Sequence, residues 1–217
     1  MENKGTGPIR YYPAFLNLRG KHCVVVGAGE VALRKIRMLL DCGAKVTVVS
    51  PTTCREVSGL AKAGAVELRR RSYRRGDLKS TALVVSATNR RKINQAVVEE
   101  ARRRGILINV VDDPGRSDFI VPSSLRRGGL TIAVSTSGMS PALARKIRMK
   151  LEADFGTAYV SLLELVEEIR SQLREKKMRV RAETWQKALD LDRLIDFVRN
   201  GRTEEAKEIL LRNLKAY

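Results

Sequence analysis

The segment Gly27-Ala28-Gly29-Glu30-Val31-Ala32 has the spacing G-x-G-x-x-A. It follows a continuous apolar run, "HCVVVG" (22–27), and opens a stretch of helical spacing over 29–42. In that context each small residue has a task in holding a dinucleotide. Gly27 permits the tight turn, Gly29 lets a pyrophosphate approach the backbone, and Ala32 lets helix and strand pack closely. Glu30 and Val31 begin the helix, whose free N–H groups face the phosphates.

The acid that ordinarily binds the ribose belongs near position 50, at the end of the next strand. The chain instead reads Ser50-Pro51-Thr52-Thr53-Cys54-Arg55. Hydroxyls beside an arginine suit a 2′-phosphate, whereas Ser50 and the backbone suit a plain ribose. The residues leave both cofactors, NADP and NAD, open. A further contact is expected from "SATN" (86–89), where Thr88 and Asn89 end a fourth strand over the same cleft.

Two more clusters have chemical potential. "NVVDDP" (109–114) brings Asp112 and Asp113 to the end of a fifth strand. Side chains alternate along a strand, so one of the two faces the cofactor if the strand persists. A carboxylate there can accept a proton while a hydride leaves, although on the residues alone a polar loop start before Pro114 explains the pair better. "STSGMSP" (135–141) offers Ser135, Thr136, Ser137, Gly138 and Ser140, with Arg145, Lys146, Arg148 and Lys150 on the helix behind. That set fits a carboxylate or phosphate cradle, and a well-capped loop explains it equally well. His22, the single histidine, has no cluster of Cys or acidic residues near it in sequence, so no permanent metal is expected.

The elements that must position these residues alternate in type. Strands are predicted at 22–27, 45–50, 65–71, 82–88 and 106–112. Helices are predicted at 29–42, on Val31, Ile36, Leu39 and Leu40, near 53–63, and at 90–104, capped by Asn89. Short connections between them imply a doubly wound, Rossmann-type parallel sheet with helices on both faces. After Pro114 the pattern becomes two strands around "RRGG" within 118–135, which suggests antiparallel pairing. Ser140-Pro141 opens a helix as cap and first residue, and the rest is helical, with Thr203 capping the last segment after Gly201. The fold class is therefore α/β with a small β connector and an α-helical C-terminal domain. Its boundaries are 1–113 for the nucleotide domain, 114–150 for the connector and substrate region, and 151–217 for the helical domain.

Net charge is +18, and residues 1–150 account for all of it, with 29 Lys and Arg against 11 Asp and Glu. Such a field attracts polyanions. Arg69, Arg70, Arg71, Arg74 and Arg75 cluster in one loop-like stretch, but no nucleic-acid motif accompanies them. No apolar run approaches the roughly 20 residues of a membrane span. The opening "MENKGTGPIRYYPAF" lacks the apolar core of a secretory signal. Cys23, Cys42 and Cys54 read as reduced thiols, so a cytoplasmic protein without membrane or nucleic-acid partners is expected.

Taken in order, several motifs resemble one family. "YYPAFLNLRGKHCVVVGAGEVALRKIRMLLDCGAKVTVVSP", "VVSATNRRKINQAVVEEAR" and "INVVDDPGRSDFIVPSSLRRGGLTIAVSTSGMSPALARKIRMKLE" are similar to the precorrin-2 dehydrogenase family. That family includes the N-terminal part of bacterial siroheme synthases and the yeast bifunctional dehydrogenase/ferrochelatase. Beyond about residue 155 the likeness is one of general character.

The resemblance implies NAD-dependent oxidation of precorrin-2 to sirohydrochlorin, followed in some members by ferrous iron insertion to give siroheme. It implies a catalytic role for Asp112, nucleotide contacts at Gly29, Glu30, Val31, Ser50, Pro51 and Thr52, and a hydroxyl facing the tetrapyrrole at Thr136. It also implies a homodimer, and a family-wide lack of the ribose acid that favours NAD over NADP. Precorrin-2 carries eight carboxylates, which matches the basic field. The alternatives are a non-catalytic NAD-sensing module and, last, a nucleic-acid binder.

Overall fold

A computed structural model describes residues 10–216. The first nine residues of the opening segment read above for a secretory signal lie outside the described residues. The chain divides into two compact units, residues 1–121 and 122–217.

Unit one is a five-stranded parallel sheet. Its strands are β1 (His22–Val26), β2 (Lys45–Val49), β3 (Val66–Arg69), β4 (Leu83–Ser86) and β5 (Leu107–Val110), in the order β3-β2-β1-β4-β5. Helices α1 (Glu30–Asp41), α2 (Arg55–Lys62) and α3 (Arg91–Arg104) connect them. β1, β2, β4 and β5 are mostly apolar and buried because both sheet faces are covered there, whereas β3, at the sheet edge, reads Val-Glu-Leu-Arg and buries only Val66. On one face Cys23, Val25, Val46, Val48, Leu83 and Val85 pack under α1 and α2. On the other, Val24, Val26, Val49, Val84, Ile108 and Val110 pack under α3. Each fully buried valine or isoleucine contributes roughly 1.5–3 kcal/mol.

Several expectations change in detail. Helix α1 buries Ala32, Leu33, Ile36 and Leu39, whereas Val31 is exposed and Leu40 half-buried. The apolar stripe thus runs through the small residue Ala32, buried against the sheet, and not through Val31. Asn89 does not cap α3. The cap position belongs to Arg90, without a side-chain bond, and the Thr88 Oγ1 accepts from Arg90 N at 3.2 Å instead. Strand β5 ends at Val110 rather than 112, because Asp113 N turns back to Val110 O at 3.1 Å.

The arginine-rich stretch 69–77 is anchored from within. Arg71 forms two hydrogen bonds to Asp77, of 2.7 and 2.6 Å, and Arg69 reaches the same carboxylate at 3.3 Å. Glu100, fully buried, accepts from Tyr73 OH at 2.5 Å, from Gly76 N, and from Arg104 Nε at 2.8 Å. Burial works against the Glu100 charge, but these donors outweigh it and hold its pKa below the ordinary value. Arg69 and Arg71 are therefore spent on Asp77 rather than displayed to a polyanion.

Unit two begins with an antiparallel pair, β6 (Ser123–Arg127) and β7 (Leu130–Val134), joined at Gly128-Gly129. Helices α4 (Pro141–Asp154), α5 (Ala158–Glu175), α6 (Ala182–Ala188), α7 (Leu191–Arg199) and α8 (Thr203–Ala216) follow. Leu162, Leu165, Ile169, Leu194, Ile195, Ala206 and Leu210 form their core. Ser140 caps α4 as expected, accepting from Leu143 N at 3.2 Å. Thr203 is already helical, since Ala206 N bonds to Arg202 O and makes Arg202 the cap; Glu204 and Glu205 do lie in the first turn. Among the described residues no helix is long and apolar enough to cross a membrane.

Candidate functional site

The glycine turn is built by the strands around it. Gly27 N bonds to Val49 O at 2.9 Å, and Ala87 N bonds to Val26 O at 2.8 Å, so the turn is stitched to β2 and β4. Gly27 adopts φ +112, and a Cβ there would lie 2.2 Å from Ala87 O. Gly29 is different: a Cβ on it would meet nothing within 4 Å. Gly29 also caps α1 without any side-chain bond, which leaves the first-turn N–H groups turned to open space.

That space is a cleft of about 570 Å³ at the carboxyl ends of the strands. Gly27, Gly29, Glu30 and Val31 line one side. Ser50, Pro51 and Thr52 line a second, followed by Thr53, Cys54 and Ser72. Thr88 and Asn89 line a third, with Arg90 and Ile93. All nine residues expected to touch a nucleotide thus border one cavity. The residues fit a dinucleotide: side-chain-free room at Gly29, unfilled N–H groups, and an apolar strip at Val26, Val49 and Ile93.

The hydroxyls around the cleft are partly committed. Ser50 Oγ donates to Thr52 O at 2.6 Å. Thr88 Oγ1 and Ser86 Oγ donate to Asn94 Oδ1 at 2.6 and 2.9 Å, and Asn94 Nδ2 returns a bond to Thr88 O at 3.0 Å. Asn94 therefore organises the whole 86–89 turn. It went unnoticed in the sequence because it sits on a helix, one turn beyond the residues it serves. Glu30, Cys54 and Glu56 also approach, with one thiol and two carboxylate ligand atoms within 4.8 Å of one another. Their sequence separation gave no hint of this.

Asp112 and Asp113 have separate roles in the turn after β5. Asp113 is held by Arg116, with Nε 2.6 Å from Oδ2. Asp112 adopts φ +59 and is exposed, and among the described residues its carboxylate has no hydrogen-bond partner. Aspartate tolerates that left-handed backbone better than most residues. Lys35, half-buried on α1, interacts electrostatically with it. Burial and Arg34 lower the Lys35 pKa, and Asp112 offsets part of that fall.

The turn is fixed by the chain that follows. Ser117 Oγ accepts from Val110 N at 2.9 Å and donates to Asp113 O at 2.8 Å. Asp118 Oδ2 accepts from Ile108 N at 3.0 Å, and Asn109 Nδ2 donates to Phe119 O at 3.0 Å. Side chains and backbone of 117–119 thereby pair with the edge of β5. Asp112 does not line the nucleotide cleft itself.

In unit two, Ser135 to Ser140 form one tight loop. Ser137 N donates to Ser135 Oγ at 3.0 Å, and Ser140 N to Thr136 Oγ1 at 3.0 Å. Ser137 and Gly138 take positive φ, +53 and +85. The hydroxyls serve the loop as acceptors, so their O–H groups stay available as donors. Arg145, Lys146 and Lys150 are exposed on α4 behind, while Arg148 is paired with Glu152.

Comparison with known proteins places this geometry among relatives. A family model described as "Putative NAD(P)-binding" matches residues 14–123, and one described as "Sirohaem biosynthesis protein central" matches 127–153. Siroheme synthase of Methylococcus capsulatus is 38% identical over 203 residues, covering 93% of this chain and 43% of that protein. Siroheme synthase of Nitrosomonas eutropha is 39% identical over 207 residues, covering 94% and 43%. The chain thus spans less than half the length of these curated relatives. A solved structure titled "SirC, precorrin-2 dehydrogenase" matches with TM-score 0.69 at 25% identity, covering 95% of this chain and 100% of that one.

Proposed function

This chain belongs to the putative NAD(P)-binding family, and from that premise we propose that it oxidises precorrin-2 to sirohydrochlorin, with NAD as acceptor, in siroheme biosynthesis. One observation carries the reading. The likeness to a protein titled precorrin-2 dehydrogenase runs the length of both chains, through the nucleotide unit and the helical unit alike. The siroheme synthases support it with identity across more than nine tenths of this chain.

Bound in the cleft, the dinucleotide supplies the hydride acceptor. The chain's own residues do the rest. The α1 N-terminus and Gly29 would hold the pyrophosphate, and Ser50 to Thr52, which line the same cleft, would border the adenosine ribose. The macrocycle loses a hydride and a proton, and Asp112 is the base that takes the proton. Its carboxylate is exposed and uncommitted, whereas Asp113 is tied to Arg116. The free O–H donors of Ser135, Thr136, Ser137 and Ser140, with the N–H of Gly138, bind substrate carboxylates, and the basic face of α4 steers them.

Two copies act together in this reading. Met139, Leu143 and Met149 are large, apolar and more than half exposed, which suits burial against a second chain. Light scattering is expected to give twice the 24.2 kDa chain mass, and a monomer at assay concentration would remove this part. The activity itself is tested anaerobically, with enzymatically made precorrin-2 and NAD. NADH and sirohydrochlorin are expected to rise together. If neither rises although both reactants bind, the oxidation is ruled out.

A further inference from the structure

The cleft lacks the strand-end acid that usually binds the adenosine ribose, yet it does contain a carboxylate. Of the described residues lining it, Glu30 is the sole acid. Glu30 opens α1 instead of closing β2. Its carboxylate nevertheless leans toward the segment after β2, within 4.8 Å of the Cys54 thiol and a Glu56 oxygen. That segment is tied to the glycine turn by Cys54 N donating to Ala28 O at 2.9 Å. At the usual position, Ser50 is buried and its hydroxyl is committed to Thr52 O. Glu30 itself is exposed and, among the described residues, has no hydrogen-bond or ion-pair partner.

We infer that Glu30 performs the displaced ribose-binding role: its carboxylate accepts the ribose hydroxyls and excludes a 2′-phosphate, so it selects NAD over NADP. The inference rests on a dinucleotide occupying this cleft, as proposed above. Two physical effects act in the same direction. A carboxylate accepting from hydroxyls makes charge-assisted bonds, stronger than those of neutral pairs. The same charge repels a phosphate in the 2′ position, and specificity of this kind needs such a repulsive element. Among the described residues lining the cleft the cation is Arg90. Arg70, one residue past β3 and outside the lining, reaches the cleft only through Ser58, donating to Ser58 Oγ at 3.4 Å, with Ser58 in turn 2.7 Å from the lining residue Thr53.

The test reads binding rather than turnover. The intact chain is titrated calorimetrically with ADP-ribose and with 2′-phospho-ADP-ribose, as wild type, Glu30→Gln, Glu56→Gln and Arg70→Ala. Wild type is expected to prefer ADP-ribose by about 30-fold or more. Glu30→Gln should weaken ADP-ribose about 10-fold and shrink the preference to a few-fold. Glu56→Gln removes the same charge from a residue outside the lining, and should keep the preference. An unchanged preference in Glu30→Gln with binding intact overturns the inference alone, as does an equal loss in Glu56→Gln. So does a wild-type preference for the phosphorylated probe that Arg70→Ala abolishes. Binding of neither probe by wild type removes the nucleotide reading of the cleft, and the inference with it.

Discussion

Asp112→Asn is expected to lower kcat by about 100- to 10,000-fold, the range over which a positioned general base contributes, with dinucleotide affinity unchanged. The separation of the two effects follows from geometry. Asp112 lies outside the nucleotide cleft, in the turn after β5, so its loss leaves the cleft lining intact. Asparagine keeps the size and tolerates the left-handed backbone at φ +59, so the fold should survive. What disappears is the charge proposed to take the proton, which also interacts electrostatically with Lys35. The adjacent Asp113→Asn is the informative companion. It removes the Arg116 partner of a partly buried ion pair, so a loss of stability of about 1 kcal/mol is expected, with activity kept within about fivefold. Equal kinetic losses in both variants would mean that the turn, and not the Asp112 carboxylate, matters.

Gly27→Ala is expected to destabilise the chain by about 3 kcal/mol or more and to abolish dinucleotide binding with it. Two costs coincide there: a left-handed backbone at φ +112 and a new Cβ 2.2 Å from the Ala87 carbonyl. The obstruction is backbone, held by the Ala87–Val26 hydrogen bond, so it cannot swing aside. Gly29→Ala separates fold from binding. Its Cβ enters open space from an ordinary helix-cap backbone. Thermal melting of Gly29→Ala should match wild type to within a few degrees, while affinity for NAD falls about 10-fold or more as the pyrophosphate loses its approach. Wild-type affinity in Gly29→Ala would mean that the phosphates lie elsewhere.

What could be read from the sequence, and what could not, follows the range of the forces involved. The central strands were legible because they are buried on both faces, which makes "CVVV" and the "LVV" of β4 continuous apolar runs. The glycine turn was legible because its small residues answer local steric demands. The end of β5 was not, since it depends on Ser117 and Asp118 folding back onto the strand from seven to ten residues away. Without that, Asp112 and Asp113 were interchangeable on residue grounds. Only the tie between Asp113 and Arg116, and the left-handed turn at Asp112, distinguish them. The cap of α3 slipped from Asn89 to Arg90 for a similar reason, with Thr88 and Asn94 closing the turn between them. The approach of Glu30 to Cys54 and Glu56 joins two helix starts across β2, a juxtaposition that no spacing rule reports.

The central claim, that this chain transfers a hydride from precorrin-2 to NAD, is tested most directly by a single anaerobic turnover. Enzyme in excess over precorrin-2 is mixed with NAD, and NADH and sirohydrochlorin are followed on the same time course. One NADH is expected for each sirohydrochlorin, both with one rate constant, and neither with Asp112→Asn on that timescale. Sirohydrochlorin formed without NADH, or a bound mixture that stays unreacted, would contradict it.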